Sequence, residues 1–117
     1  MIAAMLALLL TMSPMADAGW RPDTQAARIW LKQQMPRRQW RCLDELWSNE
    51  SGWRVLAGHP RRAYGIPQAY PGRKMGSAGP DWRTNAMTQV RWGIHYVRGR
   101  YGRPCAALRF QSRHGWY

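Results

Sequence analysis

Acidic side chains are scarce. Of 117 residues, 6 are Asp or Glu against 18 Lys and Arg, for a formal charge of +12. Any chemistry that needs a carboxyl group has few places to find one. Cysteine is nearly as rare, with Cys42 and Cys105 alone. They lie far apart without histidines at short spacing, which is not the pattern of a zinc site. His59, His95 and His114 show no metal spacing either, so no metal or cofactor is expected. The one long unbroken apolar run, Ile2 to Leu10, is too short to span a bilayer. Repeats, low-complexity tracts and long charge blocks are missing, which argues against solenoids and disordered tails. Strand alternation is also lacking, apart from room for a short hairpin between Trp53 and Gln68. The length accommodates one domain and not two.

The amino terminus has its own character. Pro14 and then Ala16-Asp17-Ala18 follow the apolar run, a small-x-small pattern that reads as the cleavage site of a secretory signal peptide over residues 1–18. Cleavage removes Asp17 and raises the net charge by one. In an oxidising compartment Cys42 and Cys105 most simply form one disulfide. So strong a basic excess points to an anionic partner, and the 8 Trp and 5 Tyr exceed what a core of this size needs.

The remainder reads as mostly helix. Pro22-Asp23-Thr24 opens a first segment in which Ala26, Ile29, Trp30 and Met35 recur at helical spacing, and Pro36 stops it. A second helix is predicted from about Gln39 to Asn49, with Trp40, Leu43, Leu46 and Trp47 on its apolar stripe. Ser51 to Pro80 is irregular and rich in glycine and proline, a composition that marks functional loops. Met87, Val90, Ile94, Val97 and Tyr101 then advance by threes and fours, a third helix that Thr84 can cap and Gly102 can end. Gly93 inside it implies close packing against another element. Pro104 opens a last short helix to about Gln111.

Extending the second helix's stripe by one step beyond Leu46 reaches Glu50, flanked by Trp47, Trp53 and Leu56. A helix carboxyl terminus disfavours an ionised glutamate, and so do apolar neighbours. Both raise its pKa, as a general acid requires. The same residue could instead be an exposed helix-end glutamate or a partner of Arg54.

Glu50-Ser51-Gly52-Trp53, followed by Ala63-Tyr64-Gly65-Ile66-Pro67-Gln68, resembles the lysozyme-like lytic transglycosylases (SLT-like). Their first motif is Glu-Ser at a helix end, and their second is Gly-Leu-Met-Gln or a variant. The stretch from Lys74 to Leu108 and the terminal Gly115-Trp116-Tyr117 are similar to small secreted members of actinobacteria and their phages. The likeness spans roughly residues 40–117, with 19–39 as an amino-terminal helical segment of the mature chain. Two features depart from the pattern. The family's Ala-Tyr-Asn triplet is missing, with Tyr101 and Tyr117 as candidates for its tyrosine, and His59-Pro60-Arg61-Arg62 stands where Asn-Pro and small residues are usual.

The resemblance implies a small, mainly α, lysozyme-like single domain of the α+β superfamily, with an irregular Gly/Pro-rich cleft region. It implies a peptidoglycan lytic transglycosylase with Glu50 as the single catalytic acid, needing no cofactor. Ser51, Tyr64 and Gln68 are the implied substrate-binding residues. The expected partners are glycan strands and anionic wall polymers. Nucleic acid is a poor fit for an exported chain, and neither membrane insertion after signal cleavage nor oligomerisation is expected. Two alternatives stay open: a hydrolytic muramidase with Asp81 as second carboxylate, and a non-enzymatic cationic protein that binds cell wall or membrane.

Overall fold

The computed structural model describes residues 22–117, so the expected leader over 1–18 and the start of the 19–39 segment lie outside the described residues. Four α-helices account for most of the described chain: α1 (Pro22–Gln33), α2 (Arg37–Ser51), α3 (Ala86–Tyr101) and α4 (Pro104–His114). The punctuation marks are those of the sequence. Pro36 precedes α2, Gly52 caps its end in the left-handed conformation, Gly102 closes α3, and Pro104 occupies the first turn of α4. The helix α2 runs two residues further at each end than expected, because its last turn continues to the Gly52 cap.

Two expectations need correction. The cap of α3 is Asn85 and not Thr84: the Asn85 side chain accepts from the Met87 and Thr88 amides. On α1 the buried residues are Thr24, Ala27 and Leu31, whereas Ala26 is exposed and Ile29 is 51 % exposed. The apolar residues of α1 surround much of the helix, so spacing did not select the face that packs on α3.

Helices α2 and α4 lie side by side and parallel. Cys42 bonds Cys105 with a Cα–Cα distance of 4.9 Å, and one end of the pair is held by the Cys105 amide donating to Gln39 Oε1 at 3.0 Å. Further along, Gln111 meets Leu46 and Glu50. The main core gathers Leu31, Leu43, Trp47, Val90 and Val97 among these helices. Gly93 sits where a Cβ would come within 2.5 Å of the Trp47 indole, the close approach its sequence position implied.

The Ser51–Pro80 region is compact without regular strands. Where the sequence left room for a short hairpin, isolated antiparallel bridges join Gly58 to Tyr64 and Tyr64 to Ala69, and a short 3-10 helix spans Gly72–Ser77. Beneath it a second small core forms from Tyr64, Ala69 and Met75, with Trp82 and Trp92 packed against it. Gln89 of α3, fully buried, fastens the region to the helices. Its Oε1 accepts from the Ile66 amide at 2.8 Å, and its Nε2 donates to the Val55 and Trp82 carbonyls at 3.0 and 2.8 Å.

Candidate functional site

Glu50 occupies the last turn of α2, where the helix meets the loop region and the chain's carboxyl terminus. The buried stripe of α2 continues through Ser51, so Glu50 lies at its edge and is half-buried. The chain turns sharply just beyond it. Gly52 and then Trp53 take positive φ, 60° and 59°. A tryptophan in that region costs about 1–3 kcal/mol. Packing offsets the cost: the indole contacts Trp40 and Trp47, and the Arg28 guanidinium covers its face at 4.7 Å.

Burial pushes the Glu50 carboxyl above the ordinary glutamate range, opposed by a hydrogen bond from Gln111. Gln111 Nε2 donates to Glu50 Oε1 at 2.6 Å, and Asn49 Nδ2 donates to Gln111 Oε1 at 3.1 Å. One carboxyl oxygen is thereby held in place. Arg54 does not pair with Glu50, since its Nε donates to the Ser51 carbonyl. The other acids stand apart. Asp44 pairs with Arg28 at 2.8 Å. Asp81 accepts from Thr88 Oγ1 and Asn85 Nδ2, which hold it below the usual carboxylate range and brace the start of α3.

The Glu50 side chain lines a cavity of about 430 Å³ with Ala63, Gln68, Tyr70 and the terminal Gly115, Trp116 and Tyr117. The loop region supplies one wall and the carboxyl-terminal tail the other. Tyr70 and Trp116 are 66 % and 52 % exposed. The Trp116 ring packs on Phe110 and has the Arg100 guanidinium over it at 5.7 Å, which leaves Tyr70 the freer of the two rings. A smaller hollow of about 60 Å³ shares Gln68, Tyr70 and Tyr117 with it and adds Lys74, Trp92 and Tyr96. The two hollows adjoin at these shared residues. Asp81 does not line either of them.

Tyr117 secures the tail. Its hydroxyl donates to the Pro67 carbonyl at 2.7 Å and accepts from Trp47 Nε1 at 2.8 Å. Desolvation raises its pKa well above that of a free tyrosine, and the nearby Glu50 charge adds to the rise. Of the two tyrosines left open by the sequence, Tyr117 is therefore the one beside Glu50. Tyr101 packs into an aromatic cluster with Tyr96, Phe110 and Tyr117.

Gln68 lines the cavity, with its Nε2 donating to the Ala57 and Gly65 carbonyls. Ser51 and Tyr64 do not. The Ser51 hydroxyl is buried and donates to the Ile66 carbonyl at 2.7 Å, tying the end of α2 to the second motif. The Tyr64 hydroxyl donates to the Arg83 carbonyl and its ring belongs to the small core. Sequence reasoning missed Gln111, Tyr70 and Gln89. The two glutamines carried a usable signal, since each places an amide on the apolar stripe of a helix.

No protein-family model, curated protein or solved structure matches the chain. Among the described residues, no cluster of three or more His, Cys, Asp and Glu comes together, and no helix is long and apolar enough to cross a membrane.

Proposed function

We propose that the protein is an exported peptidoglycan lytic transglycosylase of lysozyme-like fold, with Glu50 as its only catalytic carboxyl group. One observation carries the reading: a desolvated Glu50 opens onto a groove walled by the exposed rings of Tyr70 and Trp116. Aromatic faces of that kind stack on the apolar faces of sugar rings. The Glu-Ser and Gly-Ile-Pro-Gln motifs, tied together through Ser51 and Ile66, support the same reading.

A single acid is enough for this chemistry. Protonated Glu50 donates to the oxygen bridging MurNAc and GlcNAc, and the C1–O bond breaks. The substrate's N-acetyl oxygen supports the positive charge at C1. The Glu50 carboxylate then takes the proton of the C6 hydroxyl, whose oxygen closes on C1 as a 1,6-anhydro ring. No water is consumed, and Glu50 ends protonated as it began. Gln111 fixes one carboxyl oxygen and leaves the other for the proton. Hydrolysis with a second carboxylate lacks support, because Asp81 is committed to α3 and lines neither hollow. The disulfide is compatible with an extracellular, wall-associated location.

Digestion of purified peptidoglycan, with mass spectrometry of the released muropeptides, tests the proposal. Anhydro ends, lighter by one water than reducing ends, are expected. Reducing ends alone would mean a muramidase, and intact glycan would mean a wall-binding protein without activity.

A further inference from the structure

At the opposite end of α2 from Glu50 lies a second cavity, about 530 Å³ against about 430 Å³ at Glu50. It is open to solvent on one side and bordered by the α1–α2 junction, the first turn of α2, the end of α3 and the α3–α4 turn. Its chemistry is the reverse of the Glu50 groove. Arg38, Arg98 and Arg103 line it, and neither a carboxylate nor an aromatic ring is among its lining residues. Met35 and Ile94 contribute aliphatic surface, and Gln34 contributes an amide. Among the described residues the one ion pair is Arg28–Asp44, so none of the three guanidinium groups is neutralised by a carboxylate there. All three side chains are exposed, so water and salt screen them from each other, and an anion seated among them can take contacts from each. Neither α2 nor α4 carries an acidic residue in its first turn to offset their charge. The walls are fixed by the Cys42–Cys105 bond and by the Cys105 amide on Gln39.

We propose that this cavity binds a phosphodiester chain of the glycerol-phosphate kind, independently of the chemistry at Glu50. Guanidinium groups pair with phosphate oxygens through two parallel hydrogen bonds. Three of them distributed around one cavity suit successive phosphates better than a single one. The aliphatic surface accommodates the carbon linkers. The absence of any ring removes the stacking platforms on which proteins hold single-stranded nucleic acid.

Calorimetric titration of the intact, disulfide-bonded protein tests this with three probes: oligo(glycerol phosphate), inorganic phosphate, and an oligothymidylate with the same number of phosphates. Arg98→Gln/Arg103→Gln is compared with Arg61→Gln/Arg62→Gln, which removes equal charge from equally exposed positions on the loop before Ala63 that do not line the cavity. The cavity variant is expected to weaken binding of the glycerol-phosphate oligomer at least about tenfold, and the control variant less than about twofold. Equal losses in both variants would reduce the effect to general charge and overturn the proposal. Oligothymidylate binding as tight, with the same dependence on Arg98 and Arg103, would reassign the cavity to nucleic acid. Inorganic phosphate binding as tight would reduce it to a small-anion site. Should the cavity variant fail to fold, the side-chain amide resonances of Gln34 and Gln39 decide on the unmodified protein. They shift during the oligomer titration if the proposal holds, and a response confined to other surfaces overturns it.

Discussion

Replacing Glu50 by glutamine preserves the size of the side chain but leaves no acidic proton to donate. Glycan cleavage is expected to fall at least about 100-fold with the fold intact. The same substitution also affects stability. The folded-state pKa of Glu50 is raised, so the native protein holds more protons than the unfolded chain between the two pKa values. Stability from this group therefore falls as pH rises from the unfolded value through the folded one. Glu50→Gln does not titrate, so thermal melts across that window should move progressively in the variant's favour. Gln111 has its own signature. Its hydrogen bond favours ionised Glu50, so Gln111→Met should raise the Glu50 pKa further and shift the alkaline limb of the pH–activity profile upward. A purely structural role would lower activity at every pH and leave that limb where it was.

At the scale of the element, α3 carries the loop region in register with the helices. Gln89→Leu leaves the Ile66 amide and the Val55 and Trp82 carbonyls without their partner, at a cost of about 2–4 kcal/mol, measurable by denaturant unfolding. Gly93→Ala sets two effects against each other. Helix propensity improves by up to about 1 kcal/mol, but the new methyl group meets a fully buried Trp47 whose indole is held by Tyr117. Crowding prevails, for a net loss of about 1–2 kcal/mol. Asp81 belongs to this scale too. Its lowered pKa means that its contribution is present above the unfolded value and lost as pH falls through the folded one. Asp81→Asn should lower the melting temperature at neutral pH and leave glycan cleavage largely intact. A loss as severe as that of Glu50→Gln would identify Asp81 as a second catalytic carboxylate.

For the whole molecule, the Cys42–Cys105 bond closes a sequence separation of 63 residues and joins the helix bearing Glu50 to the helix bearing Gln111. On the chain-entropy model that cross-link contributes about 4 kcal/mol. For a core drawn from fewer than one hundred described residues this is a large fraction of the total. Cys42→Ser/Cys105→Ser should lower the denaturant midpoint accordingly and broaden the pH–activity profile, since the α2–α4 pairing that orients Gln111 toward Glu50 loosens. The molecule also divides its chemistry between two ends, with the partly exposed rings of Tyr70 and Trp116 near one carboxyl group at one and guanidinium groups without a carboxylate partner at the other. Salt weakens exposed arginine contacts and leaves sugar stacking largely unaffected. Affinity for a charged wall should therefore fall with ionic strength more steeply than turnover of a short neutral glycan.

By itself the sequence determined that four helices form and roughly where, because Pro36, Gly102 and Pro104 act on the backbone within a residue or two of themselves; the ends of α2 and α4 lie two or three residues beyond the expected ones. It also determined that a carboxyl group stands at the end of α2 in apolar company, and it named the two cysteines that bond. What surrounds that carboxyl was decided only in the tertiary structure. Gln111 reaches Glu50 across 61 positions, and Tyr117 reaches Trp47 across 70. Ser51 and Tyr64 share motifs with cavity residues yet turn inward, because the Ile66 and Arg83 carbonyls they satisfy come from other segments. Local spacing sets which face a side chain leaves from. The packing of distant segments sets whether that face is buried, open to a ligand or bound to a neighbour, and no local rule supplies that information.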